Sequence, residues 1–321
     1  MKDRESCRGT RINEKFANSF KKSCFYKYIY AKHKDEIIIG VRDGYINLYY
    51  NCDSIAKINA SNPSKCTIAK YYINKGIKGS VTLTDDEFVS NFDTIKAKSD
   101  ERNKYEKQAQ QRLFMVNNNN PESKWFCIDV EYTKSLQGKE KAEDWRFDII
   151  AVSKDSPFRI ALIELKYGSE ALGGKSGVRK HVKDFYLFFK NHKFETLKPE
   201  IVSIIEKVQL LGVEVPNALR NIKIGDIASK PEFYFITLNN NPDEKSNNTP
   251  KQTMSGYLFG DKRWECNRLS SLIKKEGDYF DLIDYDKAFR PVFLFSKATL
   301  PDIQMKDILD RTYYDVEIIN L

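Results

Sequence analysis

The chain has 321 residues, of which 41% are hydrophobic and 31% charged, and its formal net charge is +8. No apolar stretch approaches the ~20 residues that cross a bilayer, and the charged N-terminal segment lacks the apolar centre of a secretory signal. We therefore expect a globular cytoplasmic protein. The moderate basic excess is compatible with a polyanionic partner but does not demonstrate one.

Cysteine and histidine usage argues against a disulfide framework and against structural zinc. The six cysteines are scattered without a Cys-x-x-Cys pair, and only three histidines could supplement them. Structural zinc needs closely spaced ligands, and a cytoplasmic chain of this size rarely depends on disulfides. We expect neither of these features.

Residues 1–92 are predicted to form a mainly β N-terminal region. The polar and basic segment 1–30 becomes aromatic towards its end, which is compatible with a helix or an arm. A hairpin is predicted where EIIIGVR and YINLYYN flank Asp43-Gly44, a strong two-residue turn signal. The segments 52–60 and 65–73 continue as predicted strands of a small antiparallel unit.

Residues 93–240 are predicted to form a second, α/β unit. Residues 85–116 lack Gly and Pro and have helical apolar spacing, with Ser99 as a predicted N-cap and Asp100 and Glu101 in the first turn. The pattern then predicts three strands, two helices and a further strand. The three strands cover WFCIDVEY (125–132), RFDIIAV (146–152) and RIALIELKY (159–167). The two helices cover residues 178–192 and 199–212, and the further strand covers FYFITL (233–238).

A C-terminal extension is predicted over residues 241–321. It begins within a polar loop, 239–253, whose composition is typical of flexible segments. Short strands are predicted at SGYLF (255–259) and PVFLF (291–295), and a helix is predicted at DIQMKDILD (302–310).

The segment GGKS, residues 173–176, raises the alternative of a nucleotide-binding phosphate loop. That motif requires glycine five residues before its Gly-Lys-Ser/Thr, and position 169 holds Ser169 while Gly168 is one residue out of register. The spacing disfavours an NTPase. The simpler interpretation is that the glycines between 173 and 177 loosen the chain before a helix.

A second candidate site lies at the end of the same apolar strand, in Glu164-Leu165-Lys166. Side-chain alternation places Glu164 and Lys166 on one face of the strand. A hairpin folded symmetrically about Ser156 sets Asp148 opposite Glu164, with β-carbons ~5 Å apart, whereas a one-residue slip would oppose Asp148 with Ile163.

Two facing carboxylates repel each other, and a divalent cation removes that cost. Oxygen ligands with open water positions suit magnesium. The alternative is a buried, purely structural ion pair between Lys166 and one carboxylate.

This arrangement resembles the PD-(D/E)XK nuclease superfamily. Asp148, at the start of the second core strand, matches the first Asp of the motif, and Glu164 and Lys166 match its (D/E)-x-K. The element order α-β-β-β-α-β over residues 95–240, under half of the chain, also matches, although Phe147 stands in place of the literal Pro. The resemblance implies a restriction-endonuclease-like core with a mixed sheet, carrying the N-terminal antiparallel β unit and a C-terminal α/β extension.

The resemblance also implies an activity, namely Mg²⁺-dependent endonucleolytic hydrolysis of DNA phosphodiester bonds, in which Mn²⁺ can substitute. Asp148, Glu164 and the backbone carbonyl of Leu165 would bind the metal, and Lys166 would orient or activate water. Restriction or another defence against foreign DNA is the expected setting, and a homodimer is compatible with double-strand cleavage. The alternatives are a repair or recombination nuclease, or a non-catalytic nucleic-acid-binding module.

Several further residues are weaker candidates. Glu131, on one face of its strand with Asp129, would assist catalysis or bind metal, although a plain charge at a strand end is an equal alternative. Glu106 or Glu101 would supply the glutamate that family members often draw from the first helix, unless both are simply exposed. Phosphate contacts are predicted for a basic cluster, which consists of Lys175, Arg179, Lys180 and His181. For His181, a histidine on a helix face without a functional role is an equal alternative.

Overall fold

The structure of the protein, a computed structural model, describes residues 8–134, 145–168, 178–239, Phe289, 291–295 and 317–320. The described residues form a mixed α/β fold with one antiparallel and one mixed sheet. At this level the predicted fold class is confirmed. Within the described part of the chain, no helix is both long and apolar enough to span a membrane.

The N-terminal segment is helical rather than an extended arm. Helix α1 runs over Glu14–Lys22, and the Asn13 side chain caps it by accepting a hydrogen bond from the Phe16 N–H. Phe16 and Phe20, one helical turn apart, are buried in the core. Further helical turns cover Phe25–Ile29 and Tyr30–Lys32.

The first sheet is a five-stranded antiparallel meander. Its strands are β1 (Ile38–Arg42), β2 (Tyr45–Tyr50), β3 (Asp53–Asn59), β4 (Lys65–Ala69) and β5 (Ser80–Thr84), paired in chain order. The Asp43-Gly44 hairpin is confirmed: Arg42 pairs with Tyr45, and Gly44 has the positive φ that this turn requires. The segment predicted as a strand to residue 73 instead turns into a short 3₁₀ helix after Ala69, and β5 is not among the predicted strands.

Three helices connect the two sheets, and the predicted N-cap at Ser99 is wrong. They are α2 (Asp85–Ser90), α3 (Phe92–Asp100) and α4 (Tyr105–Asn119). Ser99 lies in the last turn of α3, where its buried hydroxyl donates to Asp53 at 3.1 Å. Arg102 donates to the same carboxylate, so Asp53 of β3 fixes the break between α3 and α4 through tertiary hydrogen bonds.

The second sheet has six strands and mixed direction. They are β6 (Trp125–Lys134), β7 (Trp145–Ser153), β8 (Ile160–Tyr167), β9 (Glu232–Leu238), β10 (Val292–Phe295) and β11 (Glu317–Asn320). The pairs β6–β7, β7–β8 and β10–β11 are antiparallel, and β8–β9 and β9–β10 are parallel. The strand predicted at PVFLF is confirmed, β11 is not among the predicted strands, and SGYLF and DIQMKDILD lie outside the described residues.

Helices cover both faces of the second sheet. On one face, α4 packs Ala109 and Leu113 with Ile163 and Leu165. On the other face lie α5 (Val178–Lys190) and α6 (Phe194–Leu210), which contribute aromatic and branched side chains to the larger core. The same core includes Phe16, Ile39 and Ile46 of the N-terminal region. Apolar packing therefore continues across residue 92, the predicted boundary.

Candidate active site

Asp148 and Glu164 lie across from each other at the point where two central strands separate. The ladder between β7 and β8 runs from Val152 with Ile160 to Ile149 with Ile163, which is the predicted register. One further step sets Asp148 opposite Glu164. There the Asp148 carboxylate accepts a hydrogen bond of 2.7 Å from the Leu165 N–H, so a side chain takes the place of the next backbone partner.

Lys166 lies between carboxylates from two different elements. Its ammonium group is 2.7 Å from Oε1 of Glu164 and 3.6 Å from Oε1 of Glu106 on α4. The Lys166 side chain is 8% exposed and that of Glu164 is 3% exposed, so this ion pair is shielded from water. Of the two glutamates considered in the first helical segment, Glu106 reaches the centre, whereas the exposed Glu101 pairs with Lys98.

The electrostatics of this cluster show an excess of negative charge. Burial and the neighbouring charge of Glu164 raise the pKa of Asp148 well above its usual range. Burial also raises the pKa of Glu164 to about 7, despite the opposing attraction of Lys166, and it raises the pKa of Glu106. For Lys166, burial alone would lower the pKa, but attraction to Glu164, Glu106 and Asp148 raises it. Three carboxylates thus share a single ammonium group.

Carboxylate and carbonyl oxygens are the ligand type that a hard divalent cation takes. Burial makes full ionisation of both Asp148 and Glu164 unfavourable, and a divalent cation would offset that cost. In a strand, the N–H and C=O of one residue point to the same side, and the Leu165 N–H points to Asp148. The Leu165 carbonyl is therefore directed to the same edge of β8 as the Asp148 carboxylate.

Glu131 lies beside this centre but is paired elsewhere. Val130 pairs with Ile149 and Tyr132 with Phe147, so Glu131 falls opposite Asp148 in register. Its φ of 51° is in the left-handed region, a strained backbone conformation for glutamate. The Glu131 carboxylate contacts Lys107 of α4 at 3.2 Å.

Asp129 has a structural role that differs from that of Glu131. A bulge between Cys127 and Asp129 shifts the register of β6. Asp129 is fully buried, where it accepts hydrogen bonds from Arg42 at 2.8 and 2.9 Å and from Arg8 at 3.2 Å. Sequence reasoning missed both arginines and Lys107, because their partners are distant in the chain and no local pattern marks them.

Among the predicted basic residues, His181 reaches the centre. Its Nε2 is 3.0 Å from Oε1 of Glu164, so the interpretation as an idle helix-face histidine is wrong. Arg179 and Lys180 lie in the first turn of α5, but their side chains are outside the described part of the chain, as is Lys175 with the whole GGKS segment. Their predicted phosphate contacts remain predictions.

A separate cluster in the described residues brings together Cys24, Asp85 and Asp86. Its members already bind one another, because the Cys24 N–H donates to Asp85 and the thiol donates to Asp86. The hydrogen bond to Asp86 and burial raise the pKa of the Cys24 thiol to about 11. Exposed acidic groups of this kind are common without an ion, and this cluster is not assigned a metal.

Comparison of the chain with protein-family models, with curated protein sequences and with solved structures gives no match. The geometry of the site is therefore the basis on which a function is assigned.

The pKa of Glu164 predicts a pH-dependent stability of the metal-free protein. The folded state holds a proton on Glu164 up to a pH of about 7, whereas the unfolded chain releases it near its ordinary value of 4.5. Stability is therefore lost as the pH rises through this window, by about 3 kcal/mol for this group. Denaturant unfolding in EDTA at pH 5 and pH 8 measures the change.

Glu164→Gln should reduce this pH dependence, because glutamine cannot ionise, while Asp148 and Glu106, whose pKa values are also raised, continue to contribute. Glu101→Gln is the matched control, since its carboxylate is exposed and pairs with Lys98. An unchanged pH dependence in Glu164→Gln would show that the buried carboxylate is not the titrating group.

Proposed function

We propose that the protein is a divalent-metal-dependent nuclease that hydrolyses DNA phosphodiester bonds. The observation that carries the proposal is the placement of Asp148 opposite Glu164, with Lys166 at 2.7 Å from Glu164, where two central strands separate. The order α4, β6, β7, β8, α5, α6, β9 supports a restriction-endonuclease-like core at residues 93–240, because it matches the α-β-β-β-α-β order that the resemblance implies, with α6 as an additional helix.

Asp148, Glu164 and the Leu165 carbonyl would hold Mg²⁺, or Mn²⁺ in its place. When bound, the cation supplies electrophilic activation of the scissile phosphate and of the attacking water. Lys166 acts as a hydrogen-bond donor to that water or to the phosphate oxygens on which charge develops. The raised pKa of Lys166 favours this role over that of a general base, since the amine stays protonated at neutral pH.

The surrounding residues orient this machinery. Glu106 holds Lys166 from α4, and His181 holds Glu164 from α5. Glu131 is assigned a supporting role through Lys107 rather than a place among the metal ligands. Contacts to DNA phosphates are proposed for Lys175, Arg179, Lys180 and His181, because binding of the DNA backbone needs positive charge.

The proposed setting is cytoplasmic restriction or another defence against foreign DNA, with repair or recombination as the alternative for a nuclease. A homodimer would be the assembly for a duplex substrate, in which both strands are cut. The second candidate function is a non-catalytic nucleic-acid-binding module. The observation that favours it is the closed, buried ion pair of Lys166 with Glu164, which is the geometry of a structural salt bridge.

Cleavage of supercoiled, linear, single-stranded and branched DNA tests the proposal. We expect cutting by the wild type with Mg²⁺ or Mn²⁺, none in EDTA, and none by Asp148→Ala. Asp155→Ala is the matched control, because Asp155 lies exposed in the turn of the same hairpin. Cutting that persists in Asp148→Ala would exclude this centre, and metal-indifferent binding of DNA without cutting would favour the non-catalytic module.

A further inference from the structure

Two tyrosines border the candidate active site as a contacting pair. Tyr105 is the first residue of α4 and Tyr167 the last residue of β8, and their ring centroids are 5.7 Å apart with an interplanar angle of 36°. Their chain neighbours are Glu106 and Lys166, which approach each other to 3.6 Å. The aromatic pair is therefore fixed by the same two elements that form the centre.

Tyr105 is unusually accessible among the aromatic residues that the structure describes. It is 49% exposed, so its contact with Tyr167 leaves much of the side chain uncovered. Among the described residues, the other large hydrophobic side chains with high exposure are Tyr28, Ile77 and Ile224. None of these three adjoins a residue of the candidate active site in the chain.

Positive charge flanks the exposed ring. Lys104 precedes Tyr105; its side chain is 43% exposed and its ammonium group is 3.8 Å from the Asp53 carboxylate. Lys107 lies one residue beyond Glu106; it is 29% exposed and contacts Glu131 at 3.2 Å. Proteins that bind single strands combine positive charge, which tracks the phosphate backbone, with aromatic rings on which unpaired bases stack. The segment Lys104-Tyr105-Glu106-Lys107 has both features beside the proposed catalytic lysine.

We propose that Tyr105, supported by Tyr167, stacks an unpaired nucleobase next to the scissile phosphate, so that the substrate is single-stranded DNA. A base inside a duplex is covered on both faces by its neighbours and cannot stack on the ring without being extruded. The proposal rests on the proposed function for the position of the scissile phosphate, whereas stacking itself can be measured without hydrolysis.

Fluorescence anisotropy of a labelled 12-nucleotide mixed-sequence single strand, and of the same sequence as a duplex, tests the proposal in EDTA. We expect the full-length protein to bind the single strand more tightly than the duplex. Tyr105→Ala and Tyr105→Leu should weaken single-strand binding roughly 5- to 150-fold, whereas Tyr105→Phe should retain it because the stacking face is kept. Tyr28→Ala is the matched control, since Tyr28 is also 49% exposed.

Equal binding of the single strand by Tyr105→Ala and the wild type would overturn the proposal, as would equal affinity of the wild type for the two DNA forms. The outcomes separate it from the proposed function. If Tyr105→Ala binds like the wild type while metal-dependent cutting depends on Asp148, stacking is wrong and the nuclease stands. If stacking is found without any cutting, the nuclease is wrong and the single-strand site stands.

Discussion

Lys166→Met is expected to lower the rate of metal-dependent DNA cleavage by about two to four orders of magnitude. Methionine keeps much of the apolar stem of lysine but cannot donate a hydrogen bond or carry charge. The variant should fold, because Glu164, whose pKa is already about 7, can take up a proton when its partner is removed. Single-turnover cleavage at saturating Mg²⁺ separates this loss from any change in DNA affinity.

Lys198→Met is the control for removing a buried lysine from this protein. Lys198 is 7% exposed and contacts Glu195 of its own helix at 2.8 Å. It should leave the cleavage rate unchanged, while thermal unfolding reports the effect of each variant on stability. A cleavage rate for Lys166→Met within tenfold of that of the wild type would contradict a catalytic role of Lys166. The Lys166–Glu164 pair would then have a structural role.

Two hairpin turns of this protein can be predicted from its sequence better than its helix boundaries can, whereas strands β5 and β11 are not predicted. The Asp43-Gly44 hairpin and the turn at residues 154–157 are local signals, and both determine the observed pairing. The break between α3 and α4, near Ser99, depends instead on Asp53. This residue lies 46 positions away in the chain and accepts a hydrogen bond from the Ser99 hydroxyl. Such tertiary hydrogen bonds override capping preferences, and no local pattern reveals them.

For the candidate site, the sequence predicts the pairing within one hairpin and little beyond it. Asp148 and Glu164 could be placed together because strand alternation and a symmetric turn are geometric rules. The approach of Glu106 and His181 depends on how α4 and α5 pack on opposite faces of the sheet, which no spacing encodes. The bulge in β6 and the left-handed φ of Glu131 likewise arise where β6 meets its neighbours.

Arg42→Ala is expected to lower the free energy of unfolding by about 3–5 kcal/mol, because it leaves a buried carboxylate without its main partner. Arg42 and Asp129 are 5% and 0% exposed, and the guanidinium group reaches both carboxylate oxygens, at 2.8 and 2.9 Å. The same guanidinium group donates to the Val130 carbonyl of β6 and to Tyr49. The N-terminal sheet thus supplies the charge that β6, the edge strand next to β7 of the candidate site, requires.

Denaturant unfolding of matched variants tests this prediction. Arg42→Lys should lose part of the stability, because a single ammonium nitrogen cannot also make the hydrogen bonds that Nη2 of Arg42 donates to Tyr49 and to the Val130 carbonyl. Lys34→Ala removes an exposed pair with Glu214 and should cost under about 1 kcal/mol. Asp129→Asn in the Arg42→Ala background should recover stability, since the orphaned charge is then absent. A loss below about 1 kcal/mol in Arg42→Ala would instead show that Arg8, at 3.2 Å, compensates Asp129 alone, and that the N-terminal sheet does not hold this strand through Arg42.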